Sequence, residues 1–512
     1  MEKVKLAGYA TLGGGSRVCH NHMRKIASGV IGLKSNISKA ALLTNLRRVR
    51  NECNDEVTFR RFQQDNPQLF APSMRPAVTA DQLGAWRFFP GRNLMSQGQK
   101  RNIDDDSVIN TLVDALGFRN GYREFLKEGT VNTGCVFSYW AEIAAEIDEE
   151  VKMFHWHQRE QNGVPNLGWL RTAVHSLTQQ LMRMDPGYWL LYIICRPDHL
   201  VWLISYPYYG KLTKPGDKTA FAHVDLNLVR MNDEKRGVNQ VQGSVSLTDE
   251  TTPDCTILVP RMHQPENFAY WVEQLKDRGQ MDSTGFIHKI NAQNLTAEDL
   301  RHCGTGWKNV PCKKFEVRIS TPHLPHGSDG PARGERITFL PWLVGITEDH
   351  TNLECEEAGS YNDISRAHAD FMPGPTSPSG HPNRYATIPY PFPASVRLEG
   401  LGLISDALVG RRRWDSLEVQ TEVNRIMTMK SDRLQEWLGT WRKSAVKEFK
   451  KKLRLQQLFE ETVFGAKSYY RNQKDFSRQP APDVEKDWVA WENDAEIAKW
   501  EDEHNVERPP PS

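Results

Sequence analysis

The sequence has no CxxC pair, no long apolar run and almost no net charge, and each absence removes a class of protein. Its eight cysteines (19, 53, 135, 195, 255, 303, 312 and 355) are scattered through 512 residues. Without paired spacing they read as reduced intracellular thiols, not as a disulfide framework. No window approaches the ~18–20 apolar residues of a membrane helix, and the mean hydropathy is −0.60. The N-terminal stretch carries Glu2, Lys3, Lys5, Arg17, Arg24 and Lys25 without an apolar segment, so a secretory signal is not expected. Lys plus Arg number 65 against 64 Asp plus Glu, a net charge of +1. That balance excludes a protein that coats nucleic acid or anionic membrane over its whole surface, but not one with a local patch. No internal repeat is present. The expectation is a soluble protein, cytoplasmic or nuclear, with no membrane partner.

Core-forming material is plentiful: 39% of residues are hydrophobic and 10% aromatic, including 15 Trp. A prior of roughly 150 residues per domain suggests about three units. Residues 1–186 read as mostly helical, with a helix start at Thr79 and a helical stretch over Ser138–Met153. Tyr188–Ile194 and Leu200–Tyr206 are β-branched and aromatic runs separated by Cys195-Arg-Pro-Asp-His, which predicts a β-hairpin. Further strands are expected at Phe221–Val229, Gln242–Leu247, Cys255–Val259, Lys314–Ser320 and Arg336–Val344. The fold class expected is α+β: a jelly-roll core over 187–370, flanked by helices. A helical insert spans 265–310, with helices from Pro265 to Arg278 and from an N-cap at Thr296 to Gly304. Residues 371–414 form a Pro/Gly-rich loop and connection. Residues 415–471 are amphipathic helix, with Leu434, Trp437, Leu438, Trp441, Ala445, Phe449 and Leu453 in one stripe. The polar tail 472–512 is expected to be disordered.

Chemistry concentrates in three segments: Phe221-Ala-His223-Val-Asp225, Thr321-Pro-His323-Leu-Pro-His326-Gly-Ser, and Arg336-Ile-Thr338. On a strand, residues i and i+2 face one side, so His223 and Asp225 can both point inward. A third imidazole from a distant strand completes two nitrogens and one carboxylate on one face of a metal. This facial triad leaves positions open and suits Fe(II) oxygen chemistry. An Arg on the following strand can grip a co-substrate carboxylate. The distal ligand has two registers, His326 with Arg336 or His323 with Arg333. Arg336 opens an apolar strand whereas Arg333 sits in a turn, which favours the first. A second His-x-Asp, His368-Ala-Asp370, has no later His on a credible strand and reads as an accident of a loop or helix end. A satisfied core His beside a surface Asp is the bland alternative.

These segments resemble the double-stranded β-helix of Fe(II)- and 2-oxoglutarate-dependent dioxygenases, closest to the phytanoyl-CoA-dioxygenase-like branch. The segment Gln242–His263 is similar to that branch's strand, turn and strand ending in Pro-x-x-His; Leu324–Ser328 resembles its distal-His turn and Arg336-Ile-Thr338 its Arg-x-Ser/Thr pair. The likeness covers about residues 187–345, and departs from the branch in the long 265–310 insert and in Cys255 where a Gly is usual. It implies that His223, Asp225 and His326 bind Fe(2+) and act in catalysis. It implies further that Arg336 and Thr338 bind 2-oxoglutarate, and that O2 is consumed while a C–H bond is hydroxylated with release of succinate and CO2. A small-molecule substrate is favoured over nucleic acid. Two alternatives stand: a non-catalytic cupin-like binding or scaffold protein, and an oxygenase acting on nucleic acid.

Other motifs are weaker. Gly13-Gly-Gly-Ser-Arg lacks the Lys-Ser/Thr of a phosphate loop. Cys19-His-Asn-His22 and His155-Trp-His157 lack partner cysteines at zinc spacing, and Cys303 and Cys312 flank a loop by coincidence. Lys443, Lys447, Lys450, Lys451, Lys452 and Arg454 read as a solvated face, with nucleic-acid contact the lesser alternative.

Overall fold

The computed structural model describes residues 103–153, 169–170, 173–217, 221–233, 237–252, 254–281, 287–328, 332–346, 361–369, 371, 373–374 and 396–459. The expectations for Gly13, Cys19–His22, Thr79 and His155–His157, for most of the 371–393 loop and for the tail beyond 472 lie outside these residues.

The fold mixes helices with antiparallel sheets. Chain order begins with α1 (Asp106–Ala115), α2 (Arg119–Glu128) and β1 (Thr130–Thr133). The expected helix over Ser138–Met153 is a 3-10 turn, Phe137–Ile143, leading into α3 (Ala144–Val151). After β2 (Trp169–Leu170) come α4 (Leu177–Arg183) and α5 (Pro186–Cys195). The last of these corrects the sequence reading, because the Tyr188–Ile194 run is a helix and not the first arm of a hairpin. Asp185 caps it by accepting from the Gly187 and Tyr188 N–H groups at 2.7 and 3.2 Å, and Pro186 sits in its first turn. Every one of its residues is buried, so no polar face marks a helical period, and the run imitates a strand.

The strands that follow are β3 (Leu203–Ser205), β4 (Gly210–Thr213), β5 (His223–Val224), β6 (Gln242–Ser246), β7 (Thr256–Leu258) and β8 (His288–Lys289). Then come β9 (Lys308–Asn309), β10 (Val317–Ser320), β11 (His326–Ser328), β12 (Arg336–Phe339) and β13 (Leu343–Gly345). One sheet has the order β1-β10-β6-β12-β4-β2, a second β8-β5-β11-β7-β9, and β13 pairs with β3. The expected strand 221–229 is shorter than read: β5 ends at Val224, and Leu228–Asp233 is α6. Likewise Arg336–Val344 divides into β12 and β13 around Pro341. The insert carries α7 (Pro265–Asp277) and α8 (Ala297–His302), the latter with a reciprocal Thr296/Asp299 capping box.

The six-stranded sheet has two unlike faces. Val131, Ile319, Val245, Ile337, Phe339 and Leu212 point to one side and are buried in a core shared with Trp140 and with Tyr188 and Trp189 of α5. Side chains of this size contribute about 1.5–3 kcal/mol each when fully buried. The other face is polar: Thr130, Ser320 and Gln242 lie side by side in register, as do Arg318 with Ser244, and Lys211 with Thr338 and Ser246. It looks toward the second sheet, since Arg336 on β12 reaches Thr256 on β7 at 3.0 Å. A polar face enclosed between two sheets is a costly surface unless its groups are matched, and it sets where chemistry can sit.

The remaining helices are α9 (Tyr361–Ala369), α10 (Leu403–Leu408), α11 (Leu417–Met427) and α12 (Ser431–Phe459). On α12, Leu434, Leu438, Trp441, Ala445, Phe449 and Leu453 are buried, and the Trp441 indole N–H donates to Ser405 Oγ at 2.9 Å. The basic run lies opposite. Lys443, Lys447, Lys450, Lys451 and Arg454 are exposed, and Lys450 pairs with Glu146 of α3 at 2.9 Å. No helix of the described residues is long and apolar enough to cross a membrane.

Candidate metal centre

Two sheet strands and one turn bring the predicted ligands together. In the five-stranded sheet His326 of β11 is the cross-strand partner of His223 of β5, and their rings lie 4.5 Å apart. Gly327 makes this pairing possible, because a Cβ there would stand 2.4 Å from the Phe221 carbonyl oxygen and 2.9 Å from its carbon. Asp225 follows β5 directly. Its Oδ1 lies 3.0 Å from His223 Nε2 and its Oδ2 3.3 Å from His326 Nε2. One donor atom from each residue falls within 4.8 Å of the others.

The tautomers are set from behind. His223 Nδ1 lies 3.3 Å from the Phe221 carbonyl and His326 Nδ1 3.0 Å from the Leu324 carbonyl. A carbonyl can only accept, so each Nδ1 carries a proton and donates; each Nε2 faces Asp225, and in the neutral ring its lone pair would be free for a metal ion, as in metal-binding imidazoles. Burial and the neighbouring His326 draw the His223 imidazole below its ordinary value, against the pull of Asp225. Burial acts to raise the Asp225 carboxyl, but the two imidazoles outweigh it and hold the group well below the usual carboxylate range. The site thus keeps its carboxylate ionised, as a hard divalent cation requires.

The alternative register stays apart from this cluster. His323 packs edge-on against Phe268 at 4.9 Å, and burial, with His263 nearby, pushes its imidazole down to about 4. Arg333 is exposed, and its backbone N–H donates to Asp254. The second His-x-Asp is divided: His368 lies on α9, buried, with Nε2 2.6 Å from the Ser205 carbonyl, while Asp370 is outside the described residues.

Behind the triad stands a basic wall on the polar face of the six-stranded sheet. Arg336 is buried, and its Nε donates to Glu250 Oε1 at 2.7 Å. The Glu250 side chain is fully buried, and its Oε2 accepts the Cys312 N–H at 3.0 Å and lies 3.7 Å from Arg318. Thr338, two residues along β12 on the same face, is 3% exposed and its hydroxyl has no hydrogen-bond partner among the described residues. Opposite it in register is Lys211, whose ammonium is drawn down to about 8 by burial and by Arg336, with Asp225 acting the other way.

No protein-family model and no curated protein matches the chain. Among solved structures it is similar to EvdMO1, at 16% identity over 46% of this chain and 50% of that one, with a TM-score of 0.31. The chain therefore spans half the length of EvdMO1. It is also similar to EctD from S. alaskensis, crystallised with 2-oxoglutarate and 5-hydroxyectoine (12% identity, 48% of this chain, 82% of that one, TM-score 0.32). A third is the epimerase SnoN in complex with Fe3+, alpha ketoglutarate and nogalamycin RO (14% identity, 53% of this chain, 94% of that one, TM-score 0.33).

Sequence reasoning missed Lys211 and Glu250. A lysine in the alternating stretch Gly210-Lys-Leu-Thr, on a strand with an apolar opposite face, was the available signal for the first. Glu250 lies in an acidic turn and gives no local sign of facing two arginines across the fold.

Proposed function

We propose that the protein is an Fe(II)- and 2-oxoglutarate-dependent oxygenase on a jelly-roll core, of the phytanoyl-CoA-dioxygenase-like kind, hydroxylating a C–H bond of a small organic substrate. The observation that carries this reading is the convergence of His223 Nε2, Asp225 and His326 Nε2, with both Nδ1 protons fixed on carbonyls. Two imidazoles and one carboxylate leave coordination positions open, which is the donor set of oxygen-activating iron.

The wall fits a dicarboxylic co-substrate. Thr338 Oγ1 is a buried hydroxyl without a partner among the described residues, Lys211 is its cross-strand neighbour, and Arg336 is two residues away on the same face. These residues would hold the far carboxylate of 2-oxoglutarate, while its 2-oxo acid end is presented to the metal. Bound iron and co-substrate supply oxidative decarboxylation: 2-oxoglutarate, O2 and R–H become succinate, CO2 and R–OH. The chain's own work is to bind and orient. His223 and His326 are held by the Phe221 and Leu324 carbonyls, and Glu250 holds the Arg336 guanidinium in place from behind.

Anaerobic Fe(II) titration, followed by a succinate assay in air with 2-oxoglutarate and no added substrate, tests the reading. Iron-dependent succinate is expected. Stoichiometric iron binding without any succinate would move the protein to the non-catalytic alternative.

A further inference from the structure

One part of the polar face has no role in holding iron or co-substrate. Thr130 of β1, Ser320 of β10 and Gln242 of β6 stand side by side, Thr130 opposite Ser320 and Ser320 opposite Gln242. All three are buried, at 7%, 8% and 5% exposure. Two of them carry oxygens with nothing to bind: Thr130 Oγ1 and Gln242 Oε1 have no hydrogen-bond partner among the described residues. Gln240, two residues before Gln242 and 7% exposed, adds a third such oxygen. Buried polar groups are matched in the great majority of cases, and each one left open costs about 1–3 kcal/mol. Two on one row, with a third two residues along the chain, amount to a retained cost that apolar side chains would remove.

Position gives that cost a use. The row closes the end of β10 from which the chain passes, through Thr321–Pro325, directly into His326. Ser320 of the row thus stands six residues before the distal imidazole, at the end of β10 from which the chain runs to that ligand. Its chemistry is also specific. No Asp, Glu, Lys or Arg belongs to the row, and the nearest cation on this face, Arg318, is engaged by Ser244 Oγ, the Val310 carbonyl and Glu250. A hydroxyl donates and accepts, and a carboxamide presents either end by a flip. A hydroxyl answers both from a single atom.

We propose that Thr130, Ser320, Gln242 and Gln240 form the binding surface for the primary substrate, and that this substrate is neutral and rich in hydroxyl groups, as a sugar or polyol is. The proposal rests on the oxygenase reading only for the word substrate; the surface itself is a binding site whichever way that reading falls.

The test uses the full chain and a panel of probes: methyl hexopyranosides and hexitols as neutral polyols, with hexuronates and hexose phosphates as charged counterparts. Binding is read by saturation-transfer NMR and calorimetry, without iron, so that the outcome is independent of turnover; iron binding and succinate formation are measured separately. At least one neutral probe should bind saturably, more tightly than its charged counterpart. Thr130→Val and Gln242→Leu should each weaken it about five- to tenfold, the worth of one hydrogen bond. The same variants should keep or raise the thermal midpoint of the free protein, since each removes an unmatched buried polar group. A raised midpoint with lost binding separates a binding surface from a folding requirement. Polyol binding that depends on Gln242, in a protein that makes no succinate, would uphold the surface and sink the oxygenase reading. Succinate formation with no polyol bound, with only charged probes bound, or with the variants binding like the parent would overturn the proposal.

Discussion

Gly327→Ala is the sharpest perturbation of the proposed metal centre that leaves each of its proposed ligands in place. A methyl group at this position would lie 2.4 Å from the Phe221 oxygen, 2.9 Å from its carbonyl carbon and 3.0 Å from Ala222 Cα. All three are backbone atoms, so no rotamer change relieves the clash. Ordinary contact begins near 3.4 Å, and 3.4 minus 2.4 leaves about 1 Å by which β11 must part from the Phe221–Ala222 backbone. The glycine has no left-handed φ to defend, so space alone is at stake. Overpacking of this kind costs about 1–3 kcal/mol in stability. The functional cost should be larger, because metal–ligand distances tolerate only about 0.2 Å and the clash falls next to His326 and two residues before His223. We expect Co(II) or Fe(II) affinity to fall about 10–100-fold, the range seen when a ligand's support is disturbed, with a lowered thermal midpoint and intact secondary structure. Calorimetric titration with Co(II) measures this. Gly327→Ala binding the metal as tightly as the parent would refute the argument that this contact sets the imidazole pair.

Asp225→Ala and His326→Ala should abolish metal binding, whereas His323→Ala should retain it; equal loss in all three would return the register question to His323. Lys211→Met should raise the 2-oxoglutarate requirement at least tenfold and leave metal affinity within a few-fold, read from succinate formation and from metal titration. Charge reversal at Lys450 and Lys451 should cost about 1 kcal/mol, since it breaks the exposed Lys450–Glu146 pair, and salt-sensitive binding of a DNA or RNA oligonucleotide by the parent would contradict the packing role of α12. Burial, aided by Arg183, lowers the His368 imidazole from 6.5 to about 3; the unfolded chain therefore binds a proton that the folded one refuses, so stability is full above pH 6.5 and falls toward pH 3. The slope is about 1.4 kcal/mol per pH unit, and unfolding free energies at pH 7 and 5 should show it shrink in His368→Gln.

The triad was legible because its pieces are local: His223 and Asp225 are two residues apart, and His326 sits in a distinctive Pro-His-Gly-Ser turn. Periodicity also served where one face meets solvent, as on α7 and α12. It failed on α5, where burial of every side chain removes the polar half of the pattern and leaves a run with strand composition. It failed again at β5, read as continuing to Val229, because Asn227 accepts the Val229 and Arg230 N–H groups and starts α6 instead. Strand partners were beyond reach altogether. The order β1-β10-β6-β12-β4-β2 joins segments that are distant in sequence, and only that order reveals which residues share the polar face.

The role of Arg336 shows what such pairing adds. From sequence it is a free cation waiting for a carboxylate; in the fold one edge is already taken by Glu250, 86 positions away. Burying two guanidiniums on one sheet face is unfavourable by itself, since each loses its hydration and they repel. Glu250 sits between Arg336 and Arg318 and offsets both, one oxygen to each, while its own position is fixed by the Cys312 N–H. Glu250 offsets one of the two guanidinium charges, and with Lys211 across the strand the face keeps a net positive charge. On the proposed reading, a dianion such as 2-oxoglutarate would meet a net positive face whose arginines are already held in place. On that reading Glu250 is as much a part of the proposed co-substrate wall as the arginine it restrains.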